Sequence, residues 1–174
     1  MKTQVLKIGS AASFLIFLFI LCGSVTSANA QNEPAAGMQI TRTEVIRLVK
    51  EIDSSMVFRQ TSDLDDLTAF VGKNRHKAVV QLLGDEEELK SVRWIFSFEA
   101  DAEINKEYVL NMSSFMFSMG DEKGGDWLNE QMSAIAAQTN KEFISKSKQL
   151  DHHRKAQLIY NPKGKTMNLL FTEW

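Results

Sequence analysis

The stretch VRWIFSFEADAEINKEYVLNMSSFMFSMG, residues 92 to 120, joins the clearest strand pattern of this chain to its clearest helix pattern. Apolar residues occupy every second position from Val92 to Phe98, and this period-two alternation predicts a β-strand with one apolar face. Ile95 is the one apolar residue on the opposite, polar side of that strand. The strand therefore needs a partner element that covers its aromatic face.

The second part of the stretch has the spacing of a helix. Asp101 is a plausible N-cap and Gly120 a plausible stop. The apolar and aromatic side chains between them fall on one stripe: Ile104, Tyr108, Met112, Phe115, Met116 and Met119. A single stripe that follows a single aromatic strand predicts that the two pack together as core.

An alternative interpretation of the same stripe is a binding surface, because flexible thioether side chains adapt to many partners. Phe117 lies off the stripe and is expected to be the most exposed of these residues. The candidate partner-binding residues are therefore Phe117, Met116 and Met119 on the helix, together with Ile95 on the strand.

Shorter patterns on both sides of this stretch complete the order of elements. Thr41 and Glu44 have capping-box spacing before an apolar stripe, which predicts a first helix over about residues 42 to 53. Asp126 can cap a third helix. Strands are expected at residues 78–83, 92–99, 143–149, 155–160 and 166–172. Short strands at 56–58 and 67–71 are left open, so two to four strands are expected before the second helix.

Strands grouped before and after the helices predict an α+β fold, with a mostly antiparallel sheet and about three helices packed on one face. The order of helix, strand meander and helix over about residues 41 to 119 resembles the type III secretion chaperone-like fold. That resemblance implies a role in binding proteins and no enzymatic activity. The additional strands at the C-terminal end depart from the pattern of that fold.

The first thirty residues have the layout of a secretory signal peptide. Lys2 and Lys7 precede an apolar run over residues 11 to 22, and the stretch ends in Ala28-Asn29-Ala30. The apolar run is shorter than the roughly 20 residues that cross a bilayer. We therefore expect cleavage near Ala30 and a product that is periplasmic or secreted.

A lipoprotein is the alternative for this N-terminus, with Cys22 as the lipidated residue, although Leu21 is bulkier than that signal requires. The expected organisation is a signal peptide at 1–30, a flexible lead-in at 31–40 and a single α+β domain at 41–174. No later apolar stretch is long enough to span a membrane, so we expect no transmembrane segment after cleavage.

The composition of the exported chain limits its partners and its chemistry. Cleavage removes the only cysteine, so the domain depends on a packed core and not on disulfides. It also removes Lys2 and Lys7, which changes the net charge from −2 to −4. This mild acidity argues against nucleic acid as a partner and leaves another protein as the candidate.

No motif indicates a catalytic, cofactor or metal site. His152 and His153 are adjacent, and neighbouring strand residues point to opposite faces, so the pair cannot converge on one ion. Asp63, Asp65 and Asp66 lack the glycine and the terminal glutamate of a calcium loop. We therefore expect no catalytic residue, no cofactor and no metal ligand that the sequence can identify.

The sequence thus predicts a small, exported, soluble protein that acts as a non-catalytic binding or chaperone-like module on another protein. The alternative is a periplasmic hydrolase or other enzyme whose site consists of carboxylates without a motif. Converging carboxylates in a deep pocket would favour the enzyme. An exposed apolar strip or a free strand edge would favour binding.

Overall fold

The structure is a computed structural model and describes residues 37–64 and 66–174. The predicted signal peptide, residues 31–36 of the predicted lead-in and Asp65 lie outside the described residues. The elements, in chain order, are α1 (Arg42–Ile52), β1 (Val57–Gln60), β2 (Ala69–Lys73), β3 (Val79–Gly84), β4 (Leu89–Ser97), α2 (Ala102–Ala137), β5 (Ile144–Gln149), β6 (Arg154–Asn161) and β7 (Thr166–Glu173).

All seven strands form one sheet in the order β1-β2-β3-β4-β7-β6-β5, and every neighbouring pair is antiparallel. The sheet consists of two meanders, β1 to β4 and β5 to β7, which meet where β4 pairs with β7. Helix α2 connects the end of the first meander to the start of the second. Strands β1 and β5 are the two edges.

The sequence around α1 fixes both ends of this helix. Thr41 and Glu44 form the predicted capping box, in which the Thr41 hydroxyl accepts from the Glu44 N–H and the Glu44 carboxylate accepts from the Thr41 N–H. Arg42 donates to the Gly84 carbonyl at 2.7 Å and to the Glu86 carboxylate at 2.9 Å. These contacts attach the start of α1 to the turn between β3 and β4.

The predicted stripe of α2 packs on the aromatic side of β4. The ring centroids of Tyr108 and Phe96 are 4.9 Å apart, and those of Phe115 and Trp94 are 5.2 Å apart. The five largest fully buried side chains include these four residues. The core interpretation of the stripe is therefore confirmed, and α1 adds Val45 and Val49 to the same cluster.

The prediction of about three helices packed on one face is wrong. Residues 37–64 and 66–174 contain two helices, and one of them, α2, is packed across a sheet of seven antiparallel strands. The predicted second and third helices are the two halves of α2, residues 102–120 and 122–137. They meet at Asp121, whose backbone (φ 58°, ψ −167°) interrupts the helix.

The helix restarts at once because the Asp121 carboxylate accepts the N–H groups of Lys123 at 2.8 Å and Gly124 at 3.4 Å. Gly120 and Gly124 form a recess for Leu150 from the turn between β5 and β6. A Cβ at Gly120 would lie 3.0 Å from Leu150 Cδ2, and a Cβ at Gly124 would lie 2.9 Å from Met116 Cε. The glycines thus serve close packing, and the predicted stop at Gly120 coincides with the interruption of the helix at Asp121.

The last residues of the predicted lead-in are bound to β4, since Met38 donates to the Leu89 carbonyl and Leu89 donates to the Ile40 carbonyl.

Among the described residues, neither helix combines the length and the continuous apolar character that a membrane crossing requires.

Candidate functional site

The two faces of the sheet differ in what lies on them. We call the face that packs on α2 the covered face, and the opposite one the open face. Both described helices contribute to the core on the covered face. Because directly paired residues share a face, the strand register identifies the open-face residues. One row across the sheet is Val57, Lys73, Val79, Ile95, Asn168 and Ile159.

The open face carries charge of one sign. A second row across it begins with Arg59, Val71, Gln81 and Arg93. None of the open-face strand residues is acidic, and four of them are basic. The basic ones are Arg59, Lys73, Arg93 and Lys155. In a chain with a net charge of −2, this face is the exception. It is therefore complementary to an acidic partner.

A groove of about 450 Å³ lies on the open face at the β1 edge, lined by Val57, Arg59, Thr61, Val71 and Lys73. We call it the edge groove. Its two valines and two basic residues alternate in a checkerboard, because Val57 pairs with Lys73 and Arg59 pairs with Val71. Val57 is 58% exposed, so its apolar side chain is available to a partner. The edge groove thus offers apolar contact and positive charge side by side.

Beside the edge groove, the backbone of β1 has hydrogen-bonding groups that have no partner among residues 37–64 and 66–174. Thr61 donates its N–H to the Ala69 carbonyl at 2.9 Å, which sets the phase of the antiparallel ladder. By that phase Arg59 bonds to β2, whereas the N–H and C=O groups of Phe58 and Gln60 point away from the sheet. These groups can pair with one more strand.

The opposite edge, β5, is built differently. Its sequence is ISKSKQ, and all residues after Ile144 are exposed. Lysines on an edge strand discourage pairing with another strand. Of the two edges, β1 is the one that combines free backbone groups with exposed apolar surface.

The structure separates the four predicted partner-binding residues. Ile95 lies on the open face, half-buried and paired with Val79. Met116 and Met119 are fully buried on the covered face and are not accessible to a partner. Phe117 is 42% exposed on α2, where its ring lies over Gly125. Only Ile95 shares a surface with the edge groove.

The residues of the edge groove were missed by the sequence analysis. Strand signals between residues 56 and 71 are weak, and the pairing register that aligns Arg59 with Val71 cannot be read from one sequence. The available signal was that Val57, Arg59 and Thr61 occupy every second position and would therefore share one face of a strand.

Asp151 organises the turn that contains the predicted histidine pair. The Asp151 carboxylate accepts from the N–H groups of His153 and Arg154 at 2.8 Å and from the Arg154 guanidinium at 2.6 Å. Burial alone would raise the pKa of Asp151, but these donors outweigh burial and lower it. The predicted pair His152 and His153 thus belongs to a turn that Asp151 organises.

Within residues 37–64 and 66–174, no three His, Cys, Asp or Glu side chains lie close enough together to hold a metal ion. Asp65 of the predicted aspartate loop is outside this range. Comparison of the chain with protein-family models, curated proteins and solved structures finds no match. The geometry of the molecule therefore carries the functional inference.

Proposed function

We propose that this protein is a non-catalytic, chaperone-like binding module that holds an extended acidic segment of another protein at the β1 edge. The observation that carries this proposal is the open face, where four strand residues are basic and none is acidic, and where two of the basic ones, Arg59 and Lys73, lie beside the free β1 edge. The resemblance to the type III secretion chaperone-like fold also favours a protein partner.

The proposed segment adds an eighth strand beside β1. Its main chain pairs with the outward N–H and C=O groups of Phe58 and Gln60, and each such bond contributes about 0.5–1.5 kcal/mol. Its side chains on the open face meet Val57 and Arg59 in turn. An apolar residue opposite Val57 and an acidic residue opposite Arg59 therefore give the best fit.

The alternative, an enzyme with a carboxylate site, has weaker support. An open depression at the start of α2 contains Asp101, Glu103 and Glu107. Asp101 accepts the N–H of Glu103 as the helix N-cap. Glu103 pairs with Lys106 at 3.9 Å, and Glu107 pairs with Arg75 at 4.0 Å. These carboxylates have structural partners and do not converge in a deep pocket.

Export is part of the same proposal. The signal-peptide pattern of residues 1–30 places the start of the exported chain at Gln31. Sequencing the N-terminus of the protein from a periplasmic extract tests this. A chain that starts at a lipid-modified Cys22 would overturn the proposed processing.

A peptide titration tests the binding proposal. The probe is a fluorescein-labelled eight-residue peptide with serine at every second position and valine and glutamate in turn at the positions between, so that one strand face presents both residue types, and fluorescence anisotropy gives its Kd. We expect binding, no measurable binding of the lysine-valine peptide, and loss of binding when alternate peptide nitrogens are methylated. Methylation removes main-chain donors but keeps the side-chain charges, so it separates strand addition from general attraction of charge.

Variants locate the site of the peptide. The double variant Arg59→Glu, Lys73→Glu should weaken the glutamate-valine peptide more than tenfold. Lys123→Glu reverses the charge of one exposed lysine on α2 and should change the Kd less than twofold. Equal binding of both peptides, equal effects of both variants, or preferential binding of a single-stranded oligonucleotide would each overturn the proposal.

A further inference from the structure

A second recess lies on the covered face, beneath the last turns of α2. It is a cavity of about 440 Å³, open to solvent on one side, and we call it the helix-end cavity. Its walls are apolar except for Ser133 and Lys141, and none of the residues that line it is acidic. The main wall residues are Phe98, Val109, Met132, Ile135, Tyr160 and Met167.

The cavity exists because the second half of α2 is poor in large side chains. The last six residues of the helix are MSAIAA, and Ser133 and Ala136 form part of the cavity wall. The first half of the same helix fills the equivalent space with Tyr108 and Phe115. The volume falls in the range of roughly 300–1,000 Å³ that is usual for small-molecule sites.

Lys141 stands at the boundary of the cavity. Its Nζ donates to the Ile135 carbonyl at 2.7 Å and to the Ala136 carbonyl at 3.1 Å, both in the last turn of α2, and the Ile135 carbonyl also accepts the Gln138 N–H at 3.4 Å. An ammonium group has three N–H donors, so one remains for a ligand. The lysine is thus held in place by the helix and still able to bind an acceptor.

A second depression, of about 580 Å³, continues outward from Lys141. It contains Lys163 and Phe143, and the Phe143 side chain is 63% exposed. Glu142 also lines it and reduces its positive charge. An apolar recess therefore leads into an exposed area with two lysines.

The segments around the cavity carry a net positive charge. At the cavity end, residues 141–142 and 161–165 contain three Lys and one Glu, whereas Lys148, Arg154 and Lys155 lie at the other end of the β5–β6 hairpin. An anion that approaches this end of the molecule meets a favourable field.

We propose that the helix-end cavity binds the hydrocarbon chain of a single-chain anionic amphiphile, with the head group against Lys141 and Lys163. The chain replaces contact with water by contact with Val109, Met132 and Met167. The head group stays in the outer depression, where it accepts the third hydrogen of Lys141. This site is separate from the edge groove and does not depend on the function proposed for it.

Calorimetric titration of the exported chain, residues 31–174, with four twelve-carbon probes below their micelle concentrations tests the proposal. The probes are dodecanoate, dodecyl phosphate, dodecanol and dodecyltrimethylammonium. We expect the two anions to bind with a negative heat-capacity change, and at least tenfold more tightly than the alcohol or the cation. The tighter of the two anions identifies a carboxylate or a phosphate as the head group.

Variants separate the hydrocarbon site from the head-group site. Val109→Phe adds volume to the cavity wall and should weaken dodecanoate at least tenfold with an unchanged melting temperature. Lys163→Met should weaken it about two- to fivefold, as expected for an exposed ion pair. The matched control Lys123→Met should leave the affinity unchanged.

Four results would overturn the proposal. The first is no binding of either anion, and the second is equal binding of all four probes. The third is an affinity that Val109→Phe does not change. The fourth is a loss with Lys123→Met as large as with Lys163→Met. If Val109→Phe fails to fold, Ala136→Leu, at an exposed position of the same wall, replaces it with the same expectation.

Discussion

The two faces of the sheet use the same strands for different purposes. On β4, Trp94 and Phe96 face α2 with at most 1% exposure, whereas Arg93 and Ile95, one position away, lie half-buried on the open face. The covered face is aromatic and tightly packed, and the open face combines half-buried apolar side chains with basic ones. The difference arises from α2, which packs on one side only.

This comparison separates stability from recognition. Because successive strand residues alternate between the faces, a substitution can alter the core without touching the open face, or the reverse. Variants of the covered face should therefore change the free energy of unfolding. Variants of the open face should mainly change binding.

The largest expected effect is on the covered face, at Phe115. Phe115→Ala should lower the free energy of unfolding by about 3–5 kcal/mol, because it leaves a cavity between Trp94 and Phe171, whose ring centroids lie 5.2 and 5.5 Å from that of Phe115. Urea denaturation followed by tryptophan fluorescence measures this.

Phe117→Ala is the matched control for that experiment, since Phe117 lies two residues away on the same helix and is 42% exposed. Its cost should be well below that of Phe115→Ala, with the contact to Gly125 as the main loss. Similar small shifts for both variants would contradict the assignment of the stripe to the core.

A smaller effect is expected at Asp53, the residue after α1, whose carboxylate links this helix to Asn74. Its carboxylate accepts from the Ser55 N–H at 3.0 Å, the Ser55 hydroxyl at 2.6 Å and the Asn74 amide at 2.9 Å. Asp53→Asn leaves at least one of these donors without its acceptor. It should lower the free energy of unfolding by about 1–3 kcal/mol at pH 7.

The effect of Asp53→Asn should depend on pH. Burial alone would raise the pKa of Asp53, but the hydrogen bonds from Ser55 and Asn74 outweigh it and lower the pKa. A carboxyl whose pKa is lower in the folded state stabilises the fold above its unfolded pKa, about 3.9, and this contribution is lost as the pH falls through the folded pKa. The difference in the free energy of unfolding between wild type and variant should therefore be smaller at pH 3 than at pH 7.

Denaturation at both pH values checks this, with Asp63→Asn in an exposed loop as the control for the loss of one charge. The control should stay within about 0.5 kcal/mol of wild type. If Asp53→Asn lowers the free energy of unfolding by the same amount at pH 7 and pH 3, the ionised carboxylate does not have the proposed role.

The smallest effect is expected on the open face, at Ile95. Ile95→Ala should cost about 0.5–1.5 kcal/mol, because the side chain is only half-buried beside Val79. Phe96→Ala, the next residue on the same strand, should cost about 3–5 kcal/mol. Equal losses in the denaturation midpoint would mean that Ile95 is as deeply packed as Phe96, and the distinction between the faces would fail.

Most of the elements could be predicted from local patterns, and the connection between the two helix halves could not. Alternation located β3 to β7, and helical spacing located α1 with its capping box, whereas β1 and β2 had only a weak signal. The glycines of the segment GDEKGG favour a helix stop. In the structure, the helix is interrupted at Asp121 and restarts at the next residue. The Asp121 side chain and the packing of Leu150 against Gly120 and Gly124 stabilise this restart.

None of the residues that line the edge groove was predicted, and Ile95 is the one predicted residue on the same face of the sheet. Its position as an apolar residue on the polar side of a strand is visible in the sequence. The edge groove depends on the register between β1 and β2 and on the position of β1 at the edge of the sheet. Both are long-range properties. The helix-end cavity likewise requires the packing of α2 on β6 and β7 to be known.

The central claim, that β1 accepts an extended acidic segment, is tested most directly by amide hydrogen exchange of residues 31–174, measured by NMR with and without the glutamate-valine peptide. The N–H groups of Phe58 and Gln60 should exchange fast in the free protein and become protected when the peptide is bound. The chemical shifts of Val57, Arg59 and Val71 should move, and those of Met112 and Phe115 should not. Unprotected Phe58 and Gln60 amides at saturating peptide, or shift changes centred on α2, would contradict the account.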